Sequence, residues 1–576
     1  MAEFTYPGQY ITEKSSGIRL PQSVSTSIGC VIGIFPKGEV GSPQLVTSYE
    51  EFKSLFYAPQ DLNSLRQVRG FFDEGGGSLY VIRVENDTLA AATVALRTDG
   101  EYTLSASAKS KGAWANSVSV KVTGQAVASS ASMEAVLIEG LHVNVLTSDG
   151  WEVGQRLFKN VSGTRTYLGK LSVITRTSTG VKLTFAAPSA AAIGQGDIIE
   201  AAGAFVEVID SLGNVVESYE KVTFEEGTKG YYRVKINAVS QYIQLSEAGT
   251  LPSTTIANYS YVHAQGTATS KILVSGSDGT YDKQSFLDAV ANVLPQITTL
   301  ANVFSCLEDS SLVDADHQDI YNAITVQCEL SKRYMNLVQV SLAAENISRA
   351  ATMATAGGII DFRNGLVSSR FSVVYQGYVE AYNEISKTMD ICPATGHIAG
   401  IWSRISTNVG YWQVPAGVEA NFRTTNKVSW SLTDNQQGVL NPLSINAVRF
   451  FSGYGLLVWG ARTLSNNTDF RYISDSLTFN FVEQTILSSN LWAVFKPNNS
   501  ALWSEIGINL DLFLTSQWRA GALRGDSKSE AFFVNFGKDV TSEYDILQGI
   551  VNIEVGLATQ KPGEFVHYTI SPKVNL

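Results

Sequence analysis

Between residues 270 and 400 the apolar pattern switches period repeatedly, and that alternation constrains the fold more than any other feature. Helical spacing over Asp282 to Leu300, bent or ended by Pro295, gives way to an apolar strand at Val303 to Leu307. Asp314 to Arg333 reads as a helix, Leu337 to Val340 as a strand, Ile347 to Thr355 as a helix and Arg370 to Tyr375 as a strand. Strands alternating with helices build a mostly parallel sheet covered by helices. Upstream, Ile28 to Ile32 reads as a buried strand, Tyr49 to Phe56 and Leu62 to Phe72 as helices, and Leu79 to Val84 as a strand. Gly75-Gly76-Gly77 precedes that last strand. Phosphate cradles sit between a strand and a following helix, so the reversed order speaks against a nucleotide site.

The segment between these blocks is β-rich. A loop at Ala108 to Asn116 leads into a strand through Val122, and further strands are expected at Phe205–Ile209, Val216–Tyr219, Tyr232–Asn237 and Ser240–Leu245. Residues 126–204 carry their own strand pattern (Val136–Ile138, Leu141–Leu146, Leu168–Ile174, Val181–Phe185) and a Gly/Ala-rich exit from Ala186 to Ala204. They read as a small β-barrel-like insertion on the outside; the alternative is longer strands of the host domain.

The last stretch, from Trp503, begins with a helix. Ser504 is placed to cap it, and Ile506, Leu510, Phe513, Leu514 and Trp518 recur at the spacing of one buried face. Arg519 and Arg524 are placed in the last turn, with Gly525 as the stop. Phe532, Val534 and Phe536 share one strand face, as do Val551, Ile553, Val555 and Leu557. Gln560-Lys561-Pro562-Gly563 then breaks the pattern before an alternating strand, Glu564 to Ile570, that has an edge to offer.

Candidate chemistry is thin. No Gly-x-Ser-x-Gly elbow or His-Glu-x-x-His pair occurs among sequences around His142, His263, His317, His397 and His567. Gly396-His397-Ile398-Ala399-Gly400 lacks a serine that would complete a triad, so His397 reads as packed. Asp309, Asp314, Asp316, His317 and Asp319 fit no metal loop and read as helix caps. Cys30, Cys306, Cys328 and Cys392 are scattered and read as reduced core residues. A net charge of -11 argues against a nucleic-acid groove. Met1-Ala2-Glu3-Phe4 lacks signal-peptide character, and no apolar run is long enough to span a membrane.

A resemblance gathers these pieces. Tyr6-Pro7-Gly8-Gln9-Tyr10-Ile11-Thr12-Glu13 resembles the opening Pro-Gly-x-Tyr-x-x-Glu motif of contractile tail sheath proteins. Phe71-Phe72-x-x-Gly75-Gly76, the Pro393 to Gly400 stretch, Ile401-Trp402-Ser403-Arg404 and Gly410-Tyr411-Trp412 are similar to that family. So are Trp459-Gly460-Ala461-Arg462-Thr463, Phe513-Leu514, Gly521-Ala522-Leu523-x-Gly525 and Lys561-Pro562-x-Glu564-Phe565-Val566. Ala115 stands where the family often has glycine.

The resemblance implies a multidomain α+β and α/β chain with nested, discontinuous domains. Residues 23–98 are expected to pack with a junction domain at 385–485. Residues 99–125 and 205–384 form an α/β subtilisin-like middle domain carrying the β-rich insertion 126–204, and 486–560 an α/β assembly domain. Residues 1–22 and 561–576 are linking arms, with Tyr6, Pro7, Tyr10, Ile11, Glu564, Phe565, Val566, Tyr568 and Ile570 as inter-subunit residues. Phe513, Leu514, Trp518, Arg519 and Arg524 mark a tube-facing or assembly helix. The implied function is a non-enzymatic sleeve subunit without cofactor or metal. It would assemble in the host bacterial cytoplasm into stacked helical rings, six subunits to a ring, and become part of the virion. Its partners would be a tail tube, a baseplate and a terminator, with no nucleic acid and no membrane insertion. The alternatives are a headless, tailocin-like injector, a subtilisin-like hydrolase, and a capsid or tube protein.

Overall fold

The computed structural model describes residues 24–99, 102–147, 149–249 and 270–565. The arm 1–22 with Tyr6, Pro7, Tyr10 and Ile11 lies outside them, as do Val566, Tyr568, Ile570, His263 and His567.

Local signals set the first layer. Strand β1 (Ile28–Gly33) buries Cys30, Val31 and Ile32 completely, and β2 (Gln44–Val46) is short. Helix α1 (Tyr49–Phe56) starts at Ser48, whose side chain accepts the Glu51 N–H, and buries Phe52 and Phe56 at i, i+4. Helix α2 (Asn63–Asp73) borrows its cap: Asp309 accepts the N–H groups of Asn63 and Ser64 at 2.7 and 2.8 Å. Strand β3 (Ser78–Arg83) follows.

The chain then leaves this layer through β4 (Thr93–Asp99), β5 (Tyr102–Ala108), β6 (Ser119–Ala131), β7 (His142–Val145), β8 (Arg156–Val161) and β9 (Thr164–Arg176). β10 (Val181–Phe185), β11 (Ile198–Ile209), β12 (Val215–Val222), β13 (Ile243–Ala248) and β14 (Lys271–Ile272) complete the excursion. It returns with α3 (Lys283–Asn292), β15 (Ala301–Cys306), α4 (Asp314–Ser331), β16 (Tyr334–Gln339), α5 (Leu342–Ala350) and β17 (Ser372–Gln376). The hairpin β18 (Tyr378–Tyr382) and β19 (Met389–Pro393), α6 (Thr395–Asn408), α7 (Asp434–Leu440), β20 (Ile445–Phe451) and β21 (Gly455–Trp459) close this body.

One eight-stranded sheet runs through it in the order β2-β3-β1-β15-β16-β17-β20-β21. β3 to β20 pair in parallel, and the two edge strands are antiparallel. The expected parallel layer is present, in a mixed α/β fold with several sheets. Its boundaries differ from those read in the sequence. β1 and β3, expected in a domain of residues 23–98, share this sheet with β15 to β17, expected in a middle domain at 205–384. Main-chain pairing joins Gly29–Gly33 to Asn302–Cys306 residue by residue, so these segments form one layer.

The insertion also differs from its sequence reading. β6 and β11 pair from Ser119–Ile209 to Ala131–Ile198 with a single register shift at Ala201/Ala202, crossing both expected limits of 126 and 204. The Gly/Ala-rich exit is therefore partly strand: Ala201, Ala202 and Ala204 lie buried within β11. Two separate cores share these strands. Leu104, Val120, Val206 and Tyr232 belong to the inner one, and Val143, Leu157, Leu183 and Ile199 to the outer. Gln125 and Gly203 are paired partners between them. Joining these two through an Asn-Gly turn should close a hairpin and remove only the outer core. Circular dichroism of that shortened chain should keep a cooperative thermal transition; a non-cooperative melt would mean the two cores fold as one.

Two further elements depart from expectation. Tyr232–Asn237 is a π-helical turn over Arg233–Asn237, not a strand, and Val136–Ile138 forms only an isolated bridge at Val136.

Candidate assembly interface at the C-terminal unit

The last unit comprises α8 (Ile473–Ser489), α9 (Ser500–Arg519) and the hairpin-like pair β22 (Phe532–Asn535) and β23 (Glu554–Leu557). α9 begins a turn earlier than its spacing suggested. Asn499, not Ser504, is the cap, its side chain accepting the Leu502 N–H. The helix stops at Gly521 (φ 88°), so Arg519 lies in the last turn whereas Arg524 lies beyond it. Arg524 instead donates its N–H to the Ala558 carbonyl at 2.8 Å.

The apolar face of α9 turns inward. Phe513 and Leu514 are 3% and 0% exposed and pack with Phe481, Leu523 and Phe532. These two side chains hold the helix on its own subunit. Trp518 donates its indole N–H to the Gly525 carbonyl at 2.9 Å. Only Arg519 and Arg524, of the five residues expected on an assembly face, are exposed.

β22 and β23 form an antiparallel pair, Phe532 opposite Leu557 and Asn535 opposite Glu554. Phe532 faces the core while Phe533 is half exposed. Among the described residues each strand has one ladder partner, and just past β23 the chain also bridges Leu523 through Thr559. A two-stranded ribbon is marginal alone, and open edges invite another strand. Large apolar side chains stand exposed nearby: Ile508, Phe533, Tyr544, Leu547 and Ile550.

Glu564 sits where the chain leaves this unit, and it is held rather than offered. Arg462 donates Nε to Oε1 at 2.9 Å and Nη2 to Oε2 at 2.8 Å. Asn441 Nδ2 reaches Oε1 at 2.8 Å and the Tyr472 hydroxyl reaches Oε2 at 2.9 Å. Phe565 beside it is largely exposed, at the rim of a cleft of about 440 Å³ that Trp459 also lines. The sequence singled out Arg462 and Glu564 separately; nothing in their spacing joined them.

α6 crosses α2 at glycines: a methyl on Gly400 would stand 2.3 Å from the Phe71 carbonyl oxygen, and one on Gly70 about 2.4 Å from the His397 ring. His397 is buried there, near Phe422, and burial pushes its pKa down to about 4. It is a neutral packed ring. Its titration has a sign: the unfolded chain takes up this proton from pH 6.5 downward while the native chain does not until about 4. The stability it permits is therefore lost as pH falls through that window. Burial raises Asp309 to about 6, which acts in the opposite direction below that pH. Against this background, His397→Asn should reduce the pH 7 to pH 5 loss of unfolding free energy by about 2 kcal/mol. Denaturant titrations at both pH values check this, and an unchanged loss would contradict it.

The acidic cluster likewise serves caps and surface pairs. Asp316 accepts the Val313 N–H at 3.3 Å and pairs with Lys283, as does Asp319. Among the described residues no group of three or more His, Cys, Asp or Glu is placed to hold a metal, and no helix is long and apolar enough to cross a membrane. All four cysteines are buried and free.

A body with a parallel sheet, an outer β module and a C-terminal helix-and-ribbon unit is an arrangement shared with solved contractile sheaths. The helical sheath of the anti-feeding prophage in its contracted state has this fold, with a TM-score of 0.54, 17% identity and 99% of each chain covered. A prophage major tail sheath protein of Pseudomonas aeruginosa is 21% identical over 225 residues, 38% of this chain and 55% of that protein. The tail sheath protein of Salmonella phage ViI is 24% identical over 195 residues, 33% of this chain and 31% of that one. The aligned stretches thus span 55% and 31% of those two relatives. No protein-family model matches the chain. The resemblance read from the sequence stands: the curated relatives are named tail sheath proteins, and the similar fold is a sheath.

Proposed function

We propose that the chain is the structural subunit of a contractile tail sheath. It polymerises as a helical sleeve around a tail tube and contracts to drive that tube through a target cell envelope. The observation that carries this reading is fold likeness over 99% of the chain to a sheath in its contracted state. The parallel body sheet is the counterpart of the subtilisin-like domain, kept as architecture without its chemistry. Six subunits to a ring, a tube, a baseplate and a terminator as partners, assembly in the host cytoplasm and residence in the virion belong to the same proposal. Neighbouring subunits would donate their linking arms to the open edges of β22 and β23, main-chain hydrogen bonds supplying affinity and alternate side chains register. Energy for contraction would lie in two packings of the same subunits, not in a nucleotide.

The sleeve of a headless, tailocin-like injection particle is a second reading, compatible with the same fold likeness. Electron microscopy of the purified full chain tests the shared core of both. Hollow helical tubes are the expected result; a chain that stays monomeric across salt and concentration series would contradict it.

A further inference from the structure

The chain before Glu564 is fastened at several points. The Ser474 hydroxyl donates to the Gln560 carbonyl at 3.1 Å, and Gln560 Nε2 donates to the Leu523 carbonyl at 3.2 Å. Lys561 Nζ lies 3.8 Å from Asp475, whose carboxylate also accepts the Thr559 hydroxyl. Three residues beyond Lys561, four donor groups on three different elements close on the Glu564 carboxylate. Arg462 follows β21, Asn441 follows α7, and Tyr472 precedes α8. Pro562–Gly563, the expected flexible joint, is thereby pinned on both sides.

The Arg462 end is itself built in. Its Nη1 donates to the Asn441 carbonyl at 3.1 Å. Its backbone is clasped by Asn446, which accepts the Arg462 N–H at 2.9 Å and donates Nδ2 to the Arg462 carbonyl at 2.9 Å. Gly460 permits the turn into this site: its φ of 157° and the Asn446 side chain 2.7 Å from a would-be methyl leave no room for another residue. The side chains of Arg462 and Glu564 are 13% and 17% exposed, so the pair is largely withdrawn from solvent. Bidentate pairing of this kind fixes direction as well as distance.

We propose that Arg462, Asn441 and Tyr472 are an anchor that fixes where the C-terminal linking segment leaves its own subunit, at Phe565. This rests on the reading of the residues beyond Phe565 as an inter-subunit arm. Anchoring lowers the conformational freedom that a strand must lose on reaching a neighbour, and so favours assembly. Burial pushes the Glu564 carboxyl up, yet the hydrogen bonds from Arg462, Asn441 and Tyr472 outweigh it and hold the group below its ordinary range, ionised and gripped.

A glutamate-specific endopeptidase reads the anchor directly, because cleavage after Glu564 needs that carboxylate free. In the folded full chain, release of the peptide Phe565–Leu576 should be slow. Tyr472→Phe should speed it about tenfold and Arg462→Met about a hundredfold, the range that losing charge-assisted hydrogen bonds supports. Cleavage at other glutamates and the thermal midpoint should stay unchanged for Tyr472→Phe, which removes a single donor. Both variants should also form tubes at least about tenfold more slowly. Unchanged cleavage after Glu564, or faster cleavage with tube formation at the original rate, overturns the anchor. A chain ending at Phe565 separates the two levels: tubes from it as readily as from the full chain would overturn the arm reading itself, and the anchor's role with it.

Discussion

Glu74→Ala lowers the unfolding free energy by about 3–5 kcal/mol, the cost of leaving a buried charge without its partner. Glu74 is fully buried at the end of α2, a position that the Phe-Phe-x-x-Gly-Gly motif left blank. Its Oε2 takes Arg404 Nη1 at 3.0 Å; its Oε1 takes the Arg423 and Thr424 N–H groups at 2.8 and 3.0 Å and the Thr424 hydroxyl at 2.8 Å. Arg404, also buried, donates onward to the carbonyls of Glu74 and Asn421. One carboxylate thus ties α2, α6 and the loop before residue 425 into a single body. Alanine would leave the buried Arg404 guanidinium without its countercharge and take the shared acceptor from the Arg423 and Thr424 N–H groups. Desolvation, with the neighbouring Arg423 charge, already pushes Arg404 below its usual pKa, and the carbonyls it would keep carry no countercharge. Equilibrium denaturation of the monomer measures the change; a loss below about 1 kcal/mol, the value of an exposed pair, would contradict this account.

Removing either proposed linking arm abolishes polymerisation while the subunit stays folded. Twenty residues of extended chain reach roughly 66 Å, enough to touch a neighbour. The cut must respect the anchor: a chain ending before Pro562 would also lose Glu564, whose partners are on its own subunit. The informative chains therefore begin at residue 23 or end at Phe565. Tyr568→Pro should act like the second by deleting one ladder donor. Circular dichroism should report native folding for all three and sedimentation should report monomers. Tubes from any of them would remove that segment from the linkage, and an unfolded product would assign it to the subunit's own core.

Much of the body was legible because its signals are local. α1 falls on the residues its period marked, since Ser48 caps it and Phe52 and Phe56 repeat at helical spacing. The strands β1, β3, β15 and β17 are short apolar runs between turn residues, which sequence reveals well. Tyr232, Val234 and Ile236 misled because alternation and helical spacing overlap there: the structure buries Tyr232 and Ile236, four apart, and leaves Val234 65% exposed. The alanines of β11 have weak strand preference, and their pairing with β6 decides the matter instead.

The candidate interface was legible only in part. Periodicity found the buried face of α9 but could not say against what it packs; in the structure Phe513 and Leu514 face Phe481 and Phe532. Motifs found Arg462 and Glu564, yet their contact spans 102 residues and depends on how α7, α8 and the body sheet meet. Long-range strand pairing is hidden for a related reason. A sheet that gathers residues 28–33 and 301–306 as neighbours leaves no trace in sequence spacing.

The central claim is that the open edges of β22 and β23 link subunits into a sleeve. A reconstruction of the tubes formed by the full chain, at a resolution that traces the main chain, tests it most directly. Added strands from neighbouring subunits should flank β22 and β23, with Glu564 still on Arg462 of its own subunit. Tubes in which this pair remains an isolated ribbon, joined to neighbours only through side chains, would contradict it.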